Sequence, residues 1–253
     1  MTSISVVTAV YNKHDTVAEA LDSLFAQTHL HVESVVIDGG SNRKTLEVLE
    51  SYRRQIGYFV SENDKGIYDA LNKGIARSSG DVVGFLHADD VLHDIQVLER
   101  IATAFENPTV QAVYGDLVYV AEDDPRKVIR IWRSGPFRLS RLYCGWMPPH
   151  PTFYARRSLY EQLGAFDLRY RIAADYDNML RLLRGVDGRG SQVEYIPEIL
   201  VRMRTGGVSN RSLRNILQKS SEDLLIVRRN GVGGLMTIAM KNLSKAGQFW
   251  KRR

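Results

Sequence analysis

A chain of 253 residues that is 44% hydrophobic and 25% charged can bury a sizeable core as one large domain, or as one domain with a short appendage, which excludes a disordered polymer. Its single cysteine, Cys144, excludes an internal disulfide framework and suits a reducing compartment. The net charge of +5 is uneven: from Arg202 onward 12 Lys and Arg face only Glu222 and Asp223, a local +10 that leaves −5 for residues 1–201. Such a tail is drawn to phosphate-rich surfaces, nucleic acid or anionic lipid.

The opening MTSISVVTAVYN enters a strand pattern at once, without a basic n-region or an apolar h-region, so no secretion signal is expected. No apolar run of membrane-spanning length follows. Ile4 to Val10 is a continuous buried-strand run, Val17 to Phe25 has helical apolar spacing, and Val32 to Ile37 is a second strand ending at Asp38-Gly39-Gly40. The βαβ rhythm continues through a helix over Ile67 to Ala76, a strand over Val82 to Leu86, a helix over Val97 to Phe105 and a strand over Ala112 to Val120. Beyond it the alternation loosens. Asp123 to Arg126 is a turn between strand-like segments, Gly145 to Pro151 is rich in turn formers, and helical spacing returns over Ala173 to Leu183 and again after Gly234.

Chemistry concentrates where the Val82 to Leu86 run stops at Asp89 and Asp90. Adjacent carboxylates repel unless a cation or proton shares them. A divalent metal carrying a phosphate ligand meets that need, since magnesium-type ions take one or two carboxylates plus phosphate oxygens. The same pair also reads as a solvated turn with Asp90 near a helix N-cap. Asp175 and Asp177, at a helix start, read either as caps and dipole partners or as carboxylates aimed into a cleft, where a general base belongs. Trp146 and His150 sit in the Pro-stiffened GWMPPHPTF segment, which suits acceptor stacking and hydrogen bonding as well as it suits a rigid buried connector. Arg204, beside a Gly pair in MRTGGVS, is either a bidentate diphosphate ligand or a surface arginine. In the tail, Leu235, Ile238, Ala239, Leu243, Ala246, Phe249 and Trp250 share one face while Lys241, Lys245 and Lys251 lie elsewhere. This pattern fits an interfacial membrane helix, with packing on the protein's own surface or in a homodimer as the alternative. On the membrane reading, removing Leu235 to Arg253 leaves a folded body.

The ordered motifs VVTAVYN (Val6 to Asn12), VVIDGGSNRKT (Val35 to Thr45), GIYDALNKGI (Gly66 to Ile75), GDVVGFLHADD (Gly80 to Asp90) and ADYDNMLRL (Ala174 to Leu182) resemble those of the family 2 glycosyltransferases. The likeness is narrower still to the bacterial group that builds colanic acid and related exopolysaccharides, and covers about residues 3–210. It implies an α/β fold of the GT-A type. A Rossmann-like sheet binding a nucleotide-diphosphate sugar would occupy residues 1–120, an acceptor half 121–208, and a basic helical extension 209–253. Carried over by position, Thr8 and Tyr11 line the nucleotide pocket and Asp38 accepts a hydrogen bond from the base, typically uracil. Asp69, Asn72 and Lys73 pack under or beside the donor, Asp89 is the metal-binding acid of the DxD motif with Asp90 in support, and Asp175 is the general base. Three positions depart from the family pattern: His87 stands where DxD usually begins with an acid or Asn, Arg43 follows DGGS where an acid is common, and Ala174 replaces the Glu of the ED motif. His87 is then a metal ligand, a second-shell donor or a satisfied polar residue.

The expected activity is inverting transfer of a hexosyl or N-acetylhexosaminyl group from a UDP-sugar, with Mn2+ or Mg2+ on the diphosphate, to a saccharide or lipid-linked acceptor in bacterial surface-glycan assembly. It would take place at the cytoplasmic membrane face, with the tail on anionic lipid. A nucleotidyltransferase of the same fold would open with a Gly-rich basic loop where this chain has TAVYNKHD, and a nucleic-acid-binding protein is disfavoured by the acidic body.

Overall fold

Ile4–Val10 (β1) is buried almost throughout, as the centre of a parallel sheet covered on both faces requires. In the computed structural model, which describes residues 1–186, 191–205 and 213–248, β1 has parallel partners on both sides. Val32–Asp38 (β2) lies on one side with Tyr58–Ser61 (β3) beyond it, and Val82–Phe85 (β4) lies on the other. Helix Val17–Phe25 (α1) buries Val17, Ala20, Leu21 and Leu24, one face of a 3.6-residue period. Arg43–Ser51 (α2), absent from the expected elements, buries only Thr45 and Leu49 and is started by the Asn42 side chain, which accepts from the Thr45 N–H. Ile67–Arg77 (α3) covers the sheet with Ala70, Leu71 and Ile75.

The second half extends this sheet. Val91–Leu92 (β5) and helix Val97–Ala104 (α4) lead to Val110–Val120 (β6), the edge strand Val128–Trp132 (β7) and the short helix Leu139–Leu142 (α5). After a 3-10 turn over His150–Thr152 come Tyr154–Arg156 (β8), Arg157–Leu163 (α6), Ala174–Gly185 (α7) and Gln192–Arg204 (β9). The strand order is β3-β2-β1-β4-β8-β6-β9-β5, with β7 paired to β6. β8 runs antiparallel to both β4 and β6, so the parallel half ends at β4. The carboxyl edge beside such a break in order is where open α/β sheets bind ligands. Gly84 in the middle of β4 is required by β8: a Cβ there would stand 2.0 Å from the Tyr154 ring. β9 holds a proline, which the β6–β9 ladder passes by shifting register, Gly115 facing Ile196 and Asp116 facing Ile199.

Helices Leu213–Arg229 (α8) and Leu235–Gln248 (α9) pack on α7 and on each other. This corrects the reading of Lys241 as part of a solvated basic face. Lys241 is 2% exposed, its Nζ lies 2.8 Å from the Asp223 carboxylate and 3.2 Å from the centre of the Tyr176 ring, and Ile238 is buried beside it. Thr237 donates to the Tyr143 carbonyl, and Gly145, at φ +73°, leaves the room that α9 occupies. The expected apolar face is therefore split, with Ile238 in the core while Leu235, Ala239 and Leu243 remain exposed; Phe249 and Trp250 lie outside the described residues. Deleting Leu235 to Arg253 would leave the buried Asp223 charge uncompensated. A melting temperature lower by several degrees is expected, roughly 2–4 °C for each kcal/mol lost, checked by thermal denaturation of the truncated chain.

Candidate active site

The loops after β1, β2 and β4 and the first turn of α7 carry the chemistry. At the end of β2, the buried Asp38 accepts from the Gly40 and Ser41 N–H groups and the Ser61 hydroxyl (3.2, 3.0 and 2.6 Å) through Oδ2. Its Oδ1 is buried with no partner, as is the Thr8 hydroxyl on β1. Buried polar atoms left unpaired are costly, so two on the neighbouring strands β1 and β2, one of them at the carboxyl end, fit a ligand that supplies the missing contacts. Tyr11 stands exposed at the mouth. Asp64 and Asn63 press against Gly39 and Gly40, which brings the start of α3 alongside. There Asp69 accepts from the Lys65 N–H, and Lys73 pairs with Glu62 at 2.8 Å and Asp69 at 3.7 Å.

Two nearby side chains have structural partners. The Asn72 amide both donates to the Phe166 carbonyl and accepts from the Phe166 N–H, each at 2.8 Å, so it clamps α3 to the loop before α7. Arg43 points out from α2 to Glu47 and is not among the donors to Asp38.

Behind β4, Asp89 and Asp90 occupy different environments. Asp89 is part-exposed and ion-paired to Lys13 at 2.6 Å. Burial pushes its carboxyl up, but the Lys13 hydrogen bond and charge outweigh this and hold it below the ordinary range. Asp90 is buried; burial first and the Asp89 charge second drive its carboxyl well above the ordinary range. One Asp90 oxygen accepts from the Arg204 N–H at 3.2 Å and the other has no partner. The Arg204 side chain is neither free nor on the surface: it donates to Glu19 at 2.6 Å and to the Asp89 carbonyl at 3.2 Å, bracing the acidic turn from β9. Gly206 to Ser209 lie outside the described residues.

Sequence reasoning missed Lys13, although one local signal was available. Asn12 adopts φ +52°, the left-handed region that Asn tolerates better than most residues. Its N–H donates to the Ser41 hydroxyl and its side chain accepts from the Asn42 N–H, and this pinned turn aims Lys13 at Asp89.

Across from these groups, Asp175 lies in the first turn of α7 and accepts from the Tyr68 hydroxyl at 3.2 Å, which also donates to the Ile172 carbonyl at 2.8 Å. Burial, then the Asp175 charge, raises the Tyr68 phenol far above its ordinary value and keeps it a donor. The N–H groups of Arg171, Ile172 and Ala173 all donate to Glu222 of α8 (3.1, 2.9 and 2.9 Å), so a helix of the C-terminal extension fixes the turn that presents Asp175. Glu222 too was read only as a charge. His87 feels both Asp89 and Asp175; burial lowers its basicity more than those carboxylates restore it. Its ring centre is 5.7 Å from that of His150, which stacks on Phe85 at 5.1 Å and is lowered by burial to about 4. His150 therefore belongs to a neutral aromatic floor under Asp175. Trp146 donates to the Ser134 carbonyl, meets Tyr114 edge to face and carries Arg141 above its ring at 4.4 Å. Asp177 is not brought to the site: it is buried between α7 and α8, accepting from Arg181 and Asn230.

Among the described residues no three His, Cys, Asp or Glu side chains form a ready metal shell. A partly exposed Asp89 beside an unpartnered Asp90 oxygen nonetheless suits a hard cation whose remaining ligands are phosphate oxygens and water.

The glycosyl transferase family 2 model matches residues 5–167. A PGL/p-HBAD biosynthesis glycosyltransferase of Mycobacterium bovis is 32% identical over 181 residues, covering 70% of this chain and 68% of its own. An uncharacterized glycosyltransferase of Rickettsia typhi is 29% identical over 216 residues, 79% of this chain and 63% of its own. Among solved structures, TarS of S. aureus superposes with a TM-score of 0.69 at 18% identity over 89% of this chain, which spans only 39% of the TarS chain. TarS 1–349 with UDP-GlcNAc gives 0.68 at 18% identity, covering 91% of this chain and 66% of that one. A mannosyltransferase of Pyrobaculum calidifontis, solved with GDP-Man and Mn2+, gives 0.66 at 17% identity, covering 96% and 70%. The fold is thus of the GT-A type, and with the family model spanning well over half of its length the chain belongs to glycosyl transferase family 2.

Proposed function

We propose that the chain is an inverting glycosyltransferase that moves a hexosyl or N-acetylhexosaminyl group from a nucleotide-diphosphate sugar, most simply a UDP-sugar, to a saccharide or lipid-linked acceptor in bacterial exopolysaccharide, capsule or lipopolysaccharide assembly. The reading is supported by the unpartnered buried oxygens of Asp38 and Asp90, the part-exposed Asp89 beside the latter, and Asp175 in the first turn of α7, whose charge acts with that of Asp89 on the buried His87. The donor reading gains from a TarS structure solved with UDP-GlcNAc and from the Mn2+ in the mannosyltransferase structure.

The residues divide the work. Asp38 Oδ1 accepts the N–H of the base, and Thr8 supplies a second polar contact. Asp89, released from Lys13, would hold a divalent cation with Asp90 behind it and His87 beside it; such a cation neutralises charge growing on the departing diphosphate. Lys13 is then free to face the phosphates. Asp175, oriented by Tyr68 and Glu222, takes the proton of the acceptor hydroxyl as its oxygen bonds to the anomeric carbon and the bond to the diphosphate breaks. With Asp177 turned into the packing of α7 and α8, a single base attends the reaction, and one displacement inverts the configuration. The same reading sets the enzyme on the cytoplasmic membrane face. No helix among the described residues is long and apolar enough to cross a membrane.

A thermal-shift screen against UDP-, GDP- and dTDP-sugars, with and without Mn2+, tests the reading. A UDP-sugar is expected to raise the melting temperature, more with the metal than without. No response to any nucleotide sugar would refute it.

A further inference from the structure

From Pro125 to Tyr160 the chain carries eight Lys and Arg and not one Asp or Glu, although residues 1–201 as a whole are net acidic. Three of these arginines are drawn together by one turn, Ser134 to Pro136, between β7 and α5. Arg133 reaches Asp116 with one nitrogen at 3.0 Å while two-thirds of its side chain stays exposed. Arg141 donates to the Ser134 and Pro136 carbonyls and lies over Trp146. Arg138 is exposed, and its charge lowers the pKa of Arg141 from close by, after burial itself.

The turn is built rather than loose. The Tyr114 hydroxyl and the Trp146 indole donate to the Gly135 and Ser134 carbonyls, and Gly135 takes φ +68°. The acid it contacts, Asp116, is fully buried and already satisfied by the Ser134 N–H and the Tyr195 hydroxyl as well as by Arg133. Among the described residues Asp116 is the one carboxylate ion-paired to any of these three guanidinium groups, which leaves an excess of positive charge at the turn. The turn is also coupled to the reaction floor. The Ser134 and Thr152 hydroxyls donate to the same Gly115 carbonyl, at 2.8 and 3.2 Å, and Thr152 closes the short turn that starts at His150.

We propose that Arg133, Arg138 and Arg141, with the Trp146 edge beside them, form an anion subsite on the acceptor side, and that the acceptor carries phosphate. Phosphate fits better than a carboxylate because more guanidinium charge gathers here than one carboxylate neutralises, and the planar forks match its oxygens. The subsite shares no residue with the donor diphosphate position at Lys13 and Asp89, and it meets the floor through the Gly115 carbonyl. It rests on the glycosyl-transfer reading for its purpose but not for its binding chemistry.

The test uses the full chain with UDP and Mn2+ in saturation, so that the donor site is filled, and titrates glycerol phosphate, a polyisoprenyl diphosphate in detergent, and glucuronate by calorimetry. Phosphate probes are expected to bind, more weakly as salt rises, and Arg138→Gln and Arg133→Gln/Arg138→Gln are expected to weaken them at least about tenfold in the double variant with UDP affinity unchanged. Tighter binding of the lipid diphosphate assigns the phosphate to a lipid anchor, and preference for glycerol phosphate assigns it to the glycan chain. Since Arg138 makes no contact that folding needs, its single variant decides the matter if the double variant proves unstable. The proposal is overturned if no phosphate probe binds the unmodified chain, if the variants bind as it does, or if glucuronate binds as well as phosphate. Failure of UDP itself to bind would sink the donor reading and leave this subsite to be judged on the phosphate titrations alone.

Discussion

Asp175→Asn is expected to bind UDP and metal as the unmodified chain does and to turn over more slowly by on the order of a hundredfold or more, the usual loss for a missing general base. The amide is close in shape to the carboxylate and can still receive the Tyr68 hydrogen bond, so the loss should fall on kcat and leave donor affinity alone. The neighbouring Asp177→Asn makes the contrast. Its carboxylate bonds Arg181 and Asn230 inside the packing, so its cost should be read in denaturant midpoint rather than in turnover. Single-turnover kinetics beside UDP titration separate the two. If Asp175→Asn keeps its rate while Asp177→Asn loses it, the base has been assigned to the wrong acid.

Asp89→Ala is expected to abolish the dependence of UDP binding on Mn2+, with at least about a tenfold loss of affinity at saturating metal. Removing this carboxylate does two things at once. It takes away the exposed acid of the pair, leaving the buried Asp90, whose carboxyl burial still pushes upward, and it frees Lys13 to offer a monovalent charge to the diphosphate. Weak, metal-indifferent UDP binding is therefore the signature, not complete loss. Calorimetric titration of UDP in Mn2+ and in EDTA reads it directly. Equal UDP affinity in the two buffers for the unmodified chain would remove the metal from the mechanism.

The sequence by itself determined the parallel half and the acids at its edge. Runs such as Ile4 to Val10 and Val82 to Leu86 are apolar without alternation because both faces are covered, and that pattern needs no partner to be recognised. The positions of Asp38, Asp89 and Asp175 in the fold were legible for a related reason: they end β2, follow β4 and open α7, elements whose apolar spacing is local. What depends on distant partners was not legible. α2 is amphipathic but mostly polar, with only Thr45 and Leu49 buried, so it offers few apolar residues to read, and β9 is masked by its proline until β6 supplies a shifted register. The roles of Lys13, Glu222 and Asn72 came only from tertiary structure, since their contacts join residues 76, 49 and 94 positions apart in the chain. Charge counting placed the basic character in the tail. Only the tertiary structure showed that Lys241 is buried against Asp223 and that Arg133, Arg138 and Arg141 gather around one turn, because the field at a surface depends on which charges are paired and which are left facing solvent.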